Sequence, residues 1–575
     1  MHDVPRPEYP RPSFVRPDWR CLNGMWEFEI DHGCSGHERG LQHAPRLTER
    51  ITVPFCPESR LSGIGYTDFM SAVWYRRVID VPDEWAGRRV MLHVGASDFR
   101  TTVYVNGKEA GTHVGGYSPF AVDITDLLAK GENVVTINAQ DDTRSPSQPS
   151  GKQCDAYHSR GCHYTRTTGI WQTVWMEPVP ALHVASLRLT PQLEAGAVVA
   201  EVRLSKPAPD HRVRLNAAAA GEPVGAVELP VCGHTAVGAL TVSTVRAWQP
   251  GDPFLYDLRV TVVDPAGEAV DTVDTYFGLR SLAWDGPALK LNGRPLFQRL
   301  ILDQGFYPDG IYTARSDEAL RADIEMSMAM GFNGARLHQK VFEPRFLYWA
   351  DRLGYLVWGE MPSWGVGLRD YAGIHAFTQE WLSVVERDYS HPSVVGWCPF
   401  NETGPEGPET LRTMYRLTKA LDPTRPCIDT SGYVHVETDL YDVHDYDQNP
   451  ESFRARYAPF AEGGEPFRNN PRHDAPYKGQ PYWVSEYGGI WWNPGQRDEE
   501  GWGYGERPRS EQEFLARYNA LTETLLNHPR MCAFCYTQLT DVEQEVNGLY
   551  TYDRKPKFDP ALIRAITSQK AAVEK

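Results

Sequence analysis

The chain contains no run of roughly 18 uninterrupted apolar residues, so no segment reads as a membrane-spanning helix. Its opening stretch, MHDVPRPEYPRPSFVRPDWR, lacks the apolar centre of a secretory leader, and the expectation is a soluble, cytoplasmic protein. No basic run offsets the formal net charge of −17. Such a field repels nucleic acid and anionic membrane, and neither is expected as a partner. Ten cysteines spread over 575 residues are too sparse for a disulfide framework. Cys532 and Cys535 form a CxxC, but they lie inside the apolar run MCAFCYTQ and read as buried strand thiols. Cys154, His158, Cys162 and His163 fit no closed zinc spacing, so no metal and no other cofactor is expected. GWGYGE at 501–506 is glycine-rich, yet no strand precedes it and no helix clearly opens on it, which excludes a nucleotide loop.

What is present is an ordinary globular composition, 41% hydrophobic and 23% charged, over a length that implies several domains. Residues 1–181 are nearly all β in pattern: SAVWYRRVIDV, RRVMLHVG, RTTVYVNGK and NVVTINAQ are rich in Val, Tyr and Thr between short turn clusters. Asn106-Gly107 marks a hairpin, because both central positions of a type I′ turn need positive φ. A jelly-roll β-sandwich is predicted here. Residues 182–281 carry shorter strands, among them VVAEVRLS and YDLRVTVVD, with turns at regular spacing, which predicts an immunoglobulin-like β-sandwich. From 282 to 575 strand and helix alternate. SDEALRADIEMSMAM is an amphipathic helix with cap candidates Ser316 and Asp317 and a stop at Gly331; FEPRFLYWADRL is another, stopped by Gly354. PLFQRLIL, FNGARLH, YLVWGEMP, VVGWCPFNE, RPCIDTS, LYDVHDY, YWVSEYGG and MCAFCYTQ read as its strands, apolar on both faces. That is the pattern of a (β/α)₈ TIM barrel.

In such a barrel the polar residues at the C-terminal ends of the strands build the site. Those ends carry Asp303 and Gln304, Arg336 and His338, Glu360, Asn401 and Glu402, His444 and Tyr446, Glu486, and Tyr536. Two carboxylates stand out. Glu402 and Glu486 each end an apolar strand, where an acid is costly to ionise unless it is partnered. Counted as strands four and seven, they face each other across the mouth. A converging pair, one protonated and one ionised, is what cleavage of a glycosidic bond requires, and a separation of about 5–5.5 Å would mean retention through a covalent glycosyl-enzyme. A lone strand-end Glu is more often a surface or salt-bridge residue; two on opposed strands, one beside an Asn, favour catalysis. Aromatic rings suit a sugar's apolar face, and Trp364, Trp491 and Trp492 are the stacking candidates because they follow strands three and seven.

Longer strings carry a resemblance. LNGMWEFEID, VWYRRVIDVP, VYVNGKEAGTHVGGYSPFAVDIT, TGIWQTVWMEP and YFGLRSL resemble the two sandwich domains of glycoside hydrolase family 2. MGFNGARLH, LGYLVWGEMP, HPSVVGWCPFNE and VSEYGG are similar to its active-site strands, so the likeness spans nearly the whole chain. That family includes β-galactosidases, β-glucuronidases and β-mannosidases. The resemblance implies that Glu402 is the acid/base, Glu486 the nucleophile, and Asn401 a partner of the sugar 2-hydroxyl. Arg336 and His338 would support the nucleophile, and Tyr446 would orient it. Sandwich domains of this kind often supply subunit contacts, so a homo-oligomer acting on a carbohydrate substrate is expected.

The departures bear on the sugar. Asp303 and Gln304 replace a His-bearing family pattern, and Tyr536 takes the place of a strand-eight Trp. Where β-glucuronidases carry Asn-x-Lys to grip the sugar carboxylate, this chain reads Glu545-Val546-Asn547. An acid there would repel a uronate, with no lysine to offset it. The expectation is therefore an exo-acting retaining β-glycosidase of neutral sugars, β-galactosidase-like. α-L-Arabinopyranosidase, β-mannosidase, β-glucosidase and β-xylosidase activities are alternatives, and β-glucuronidase is disfavoured. A non-catalytic carbohydrate-binding protein is the competing class, which loss of either glutamate would have favoured.

Overall fold

The computed structural model describes residues 4–494 and 501–575. The N-terminal portion is built on two antiparallel sheets. The larger has six strands in the order Glu49–Val53, Gly24–Ile30, Ala72–Ile79, Asn133–Gln140, Arg100–Val105 and Lys108–Val114. The smaller has four, with Val174–Val179 and Arg89–Val94 at its centre. Alternating residues such as Trp26, Phe28, Val103, Val105, Ile137 and Met176 point between the sheets and make the core. Asn106 and Gly107 have φ of 51° and 77°, so the hairpin between Val105 and Lys108 uses the positive-φ turn its sequence announces.

The next portion packs a three-stranded sheet, Val184–Gln192, Ala197–Leu204 and Thr235–Thr241, on a four-stranded one centred on Arg212–Ala219 and Tyr256–Val263. Their inward-facing valines, leucines and alanines form a core of their own.

The C-terminal portion is the barrel. Seven parallel strands are hydrogen-bonded in sequence around it: Gln298–Asp303, Gly334–Leu337, Leu356–Glu360, Val394–Cys398, then Tyr441–Asp445, Tyr482–Gly488 and Met531–Thr537, the last pairing with the first. The expected fifth strand, RPCIDTS, is not a regular strand. It touches the fourth through isolated bridges at Trp397–Cys427 and Asn401–Ser431. Pro426 removes one donor. Towards the sixth position the gap is closed by side chains: the Asp442 carboxylate accepts from the Ser431 hydroxyl (3.0 Å) and the Gly432 N–H (2.8 Å).

The barrel strands are buried almost throughout, only Gly359 being partly exposed, as apolar runs without alternation require. Trp358 and Trp483 meet in the lumen with ring centroids 5.4 Å apart, and strand four holds Gly396 against Trp358, where a Cβ would lie 2.4 Å from the indole, while the neighbouring Trp397 faces outward onto Trp381. Helix α1, Asp317–Ala329, starts on Ser316, whose hydroxyl accepts from the Ala319 N–H. Helix α2, Pro344–Leu353, ends on Gly354 in the left-handed conformation. Cys532 and Cys535 are buried free thiols in the last strand. Among the described residues no helix is long and apolar enough to cross a membrane.

Candidate active site

Strand seven delivers Glu486 into the mouth, and the turn after strand four delivers Glu402. Glu402 takes a left-handed φ of 49°, pinned by its N–H to the Ser431 carbonyl (2.9 Å), a conformation that a glutamate holds only when its surroundings impose it. One oxygen of each glutamate and a ring nitrogen of His444 lie within 4.8 Å of one another. His444 stands between the acids, its Nδ1 2.8 Å from Glu402 and 3.5 Å from Glu486, while its Nε2 meets the Ser431 hydroxyl at 3.0 Å. Burial opposes its charge, but Glu486 and Glu402 together raise its pKa above the ordinary histidine value.

Glu486 is held as an anion. Burial alone would raise its pKa, but His444, Arg336 and His338, with the hydrogen bond from Tyr446, outweigh burial and keep it well below the usual carboxylate range. The Tyr446 hydroxyl donates to Oε2 at 2.5 Å, and Arg336 Nη2 lies 2.9 Å from Oε1. The arginine contact is ionic without hydrogen-bond alignment, and Oε1 keeps a lone pair free of donors.

Arg336 itself is caged. Its Nε donates to Glu360 (2.6 Å), Nη1 to the Ser485 carbonyl (3.0 Å) and Nη2 to Asn401 Oδ1 (2.6 Å). Because Arg336 occupies the amide oxygen of Asn401, the buried Nδ2 is left as an unpartnered donor, suited to a substrate hydroxyl. Glu360 is committed beneath the site: Arg336, His338 and the Gln339 N–H use both its oxygens. Burial raises its carboxyl, yet Arg336 and His338 bring it down to about 2.

The other expected site residues divide. Trp364 is half-buried in a cleft of about 400 Å³ that it lines with His163, Asn401, Glu402 and Thr403. Its indole N–H donates to the Asn401 carbonyl (3.2 Å). Gln304 donates to the Tyr164 hydroxyl (3.1 Å) and leaves its amide oxygen unpartnered. Asp303 turns inward to the Gly305 N–H (2.9 Å), and burial beside Asp323 pushes it up to about 7. Glu545 accepts from Tyr164 (2.5 Å) and Asn547 (3.1 Å).

Two expectations are corrected. Tyr536 is not at the mouth: side chains alternate along its strand, and its ring faces outward onto Tyr518 of the helix Glu511–Leu526, at 5.0 Å. Its neighbour Thr537 faces inward, 3.1 Å from the Tyr446 hydroxyl. Trp492 is core, buried among Phe514 and Phe558 at 6.3 and 6.5 Å. Trp491 remains partly exposed beside Arg507.

Residues that strand-end reading missed come from elsewhere in the chain. The sandwich loop around 143–168 crosses the barrel mouth, held by Ser150 and Gly151 N–H groups on the Trp364 carbonyl (2.8 and 3.0 Å) and by Tyr164 on Glu545. It brings His163 to 5.3 Å from the Trp364 ring and the Lys152 ammonium to 4.3 Å from it. Tyr504 stacks on Tyr446. Gln538 holds Asn547 (2.7 Å), and its amide oxygen is buried without a partner. Gln538 and Asn547 were legible as strand-end and motif neighbours; no local signal marked Lys152.

Known proteins align with this arrangement. Three family models match: "Glycosyl hydrolases family 2, sugar binding domain" over residues 62–171, "Glycosyl hydrolases family 2" over 182–280, and "Glycosyl hydrolases family 2, TIM barrel domain" over 313–570. A β-glucuronidase of Paenibacillus borealis is 27% identical over 73% of this chain and 74% of its own length. The human β-glucuronidase is 25% identical over 73% of this chain and 69% of its own. The solved β-glucuronidase of Lactobacillus rhamnosus superposes with a TM-score of 0.82 at 21% identity, covering 98% of both chains. These relatives overturn the neutral-sugar, β-galactosidase-like expectation. The premise behind it also fails in space, because the charge of Lys152 reaches Glu545: burial raises the Glu545 carboxyl, and Lys152 is the strongest influence drawing it back.

Proposed function

The chain belongs to glycosyl hydrolases family 2, and from that premise we propose that it is a retaining β-glucuronidase. The observation that carries the mechanism is the pair Glu402 and Glu486, with oxygens inside 4.8 Å, in keeping with the about 5–5.5 Å separation of retaining enzymes. Its relatives' names support the sugar.

Glu486 Oε1, ionised and free of hydrogen-bond donors, attacks the anomeric carbon as Glu402 gives its proton to the departing oxygen. The bond to the aglycone breaks and a glycosyl ester on Glu486 forms. Glu402, now a base, takes a proton from water, which attacks the same carbon and releases Glu486. Arg336 and Tyr446 keep the nucleophile oriented and anionic until bond formation. Asn401 Nδ2 donates to the 2-hydroxyl, a contact of the kind that strengthens towards the oxocarbenium-like transition state.

The test is hydrolysis of p-nitrophenyl β-D-glucuronide, followed by a 2-fluoro glucuronyl fluoride and peptide mass mapping. Turnover with the label on Glu486 is expected. A label on another residue refutes the assignment, and absence of glucuronide turnover refutes the sugar.

A further inference from the structure

We propose that Lys152, carried into the barrel mouth by the sandwich domain, is the residue that pairs with the substrate's carboxylate. The proposal rests on the glucuronidase reading and supplies the cation which that reading needs.

Among the described residues, the cations Arg336, Lys340 and Lys557 are committed. Arg336 is bonded to Glu360, Asn401 and the Ser485 carbonyl. Lys340 donates to the Gly305 and Tyr312 carbonyls, and Lys557 to Asp541 and the Trp492 carbonyl. Lys152 differs. It is 5% exposed, and its ammonium has no hydrogen bond or ion pair among the described residues; its close neighbour is the face of Trp364. A buried ammonium without an anion is costly unless something arrives to meet it. Burial opposes the charge, but Cys162, Glu545, Glu486 and Glu402 hold its pKa above the ordinary lysine value, so it meets a ligand as a cation.

Its position is built. The loop stays on the mouth because residue 151 is glycine at φ 58°, where a Cβ would sit 2.4 Å from the Gln339 carbonyl oxygen. The Lys152 carbonyl accepts from the Tyr164 N–H (2.7 Å), tying it to the residue that bonds Glu545. Glu545 is held by Tyr164 and Asn547, so its carboxylate stays fixed on the same loop contact that carries Lys152.

The test compares p-nitrophenyl β-D-glucuronide with p-nitrophenyl β-D-glucoside, which differ only in a carboxylate against a hydroxymethyl. Lys152→Gln should lower the glucuronide-to-glucoside ratio of kcat/KM on the order of 100-fold, since a charge-assisted hydrogen bond is lost for one substrate alone. Lys152→Arg should restore most of the ratio, and Glu545→Gln should raise it. An equal loss on both substrates in Lys152→Gln, with no rescue by arginine, overturns the proposal and leaves a glucuronidase whose lysine only supports packing. Should Lys152→Gln fail to fold, an unchanged ratio in Glu545→Gln overturns it. A wild-type enzyme without preference for the glucuronide overturns the glucuronidase reading and this proposal with it.

Discussion

Replacing Glu360 with glutamine tests whether the proposed nucleophile, Glu486, depends on a cage built beneath it. The carboxylate accepts from Arg336 Nε at 2.6 Å and from the Gln339 N–H at 3.0 Å, with His338 at 3.1 Å, all buried. A glutamine offers one acceptor oxygen. Its NH₂ must face Arg336 or the Gln339 N–H, donor against donor, and a buried donor is orphaned. Loss of a charged hydrogen bond and of a partner for a buried donor costs about 3–5 kcal/mol. A second route agrees: lowering the carboxyl from 4.5 to about 2 corresponds to roughly 3 kcal/mol favouring the ionised form. Because the folded-state value is depressed, this stability is present above pH 4.5 and is lost as pH falls towards about 2. At neutral pH, calorimetry of Glu360→Gln should show a barrel transition about 5–15 °C below wild type. Arg336 keeps Glu486 as a partner, so the protein still folds, but kcat falls because the arginine that orients the nucleophile is no longer braced. A transition within 1 °C of wild type, with unchanged kcat, would falsify the caging argument.

Tyr446→Phe removes the 2.5 Å hydrogen bond to Glu486; kcat should drop about 10–100-fold, and an unchanged value in steady-state kinetics sinks the orienting role. Gly151→Ala drives a methyl into the Gln339 carbonyl and lifts the loop bearing Lys152; KM for the glucuronide should rise severalfold while the denaturation midpoint of the barrel moves little, and the reverse pattern counts against the loop. On the acid side, Glu486 stays ionised below the ordinary carboxylate range, so titration of the nucleophile should not set the acid limb of kcat/KM. On the alkaline side, His444 holds its proton beyond the usual histidine value and releases it as pH rises, so His444→Gln should shift or abolish the alkaline limb. A pH profile superimposable on wild type refutes that link.

Much of the site was legible because its signals are local. An apolar run that ends in Asn401-Glu402, and another that ends in Glu486, place acids at the same rim whenever parallel strands close into a barrel, since every strand of such a barrel points the same way. Arg336, His338, Tyr446 and His444 were named by the same rule, and the fold brings them around the two acids. Tyr536 was misplaced by one residue because the two-residue alternation of a strand cannot be phased from an all-apolar run: Cys535, Tyr536 and Thr537 give no sign of which faces the lumen. Trp492 was misread for a related reason, since a tryptophan after a strand serves the helix layer as readily as the mouth.

The architecture, the barrel order and the opposed glutamates follow from the sequence itself, because period, turn chemistry and strand ends are properties of short segments. Tertiary structure alone decided the charge of the pocket. Glu545 reads as an uncompensated acid along the chain, yet a loop from a different domain brings the charge of Lys152 to bear on it. Coulomb energy depends on distance in space and on burial, and neither can be read from separation along the chain.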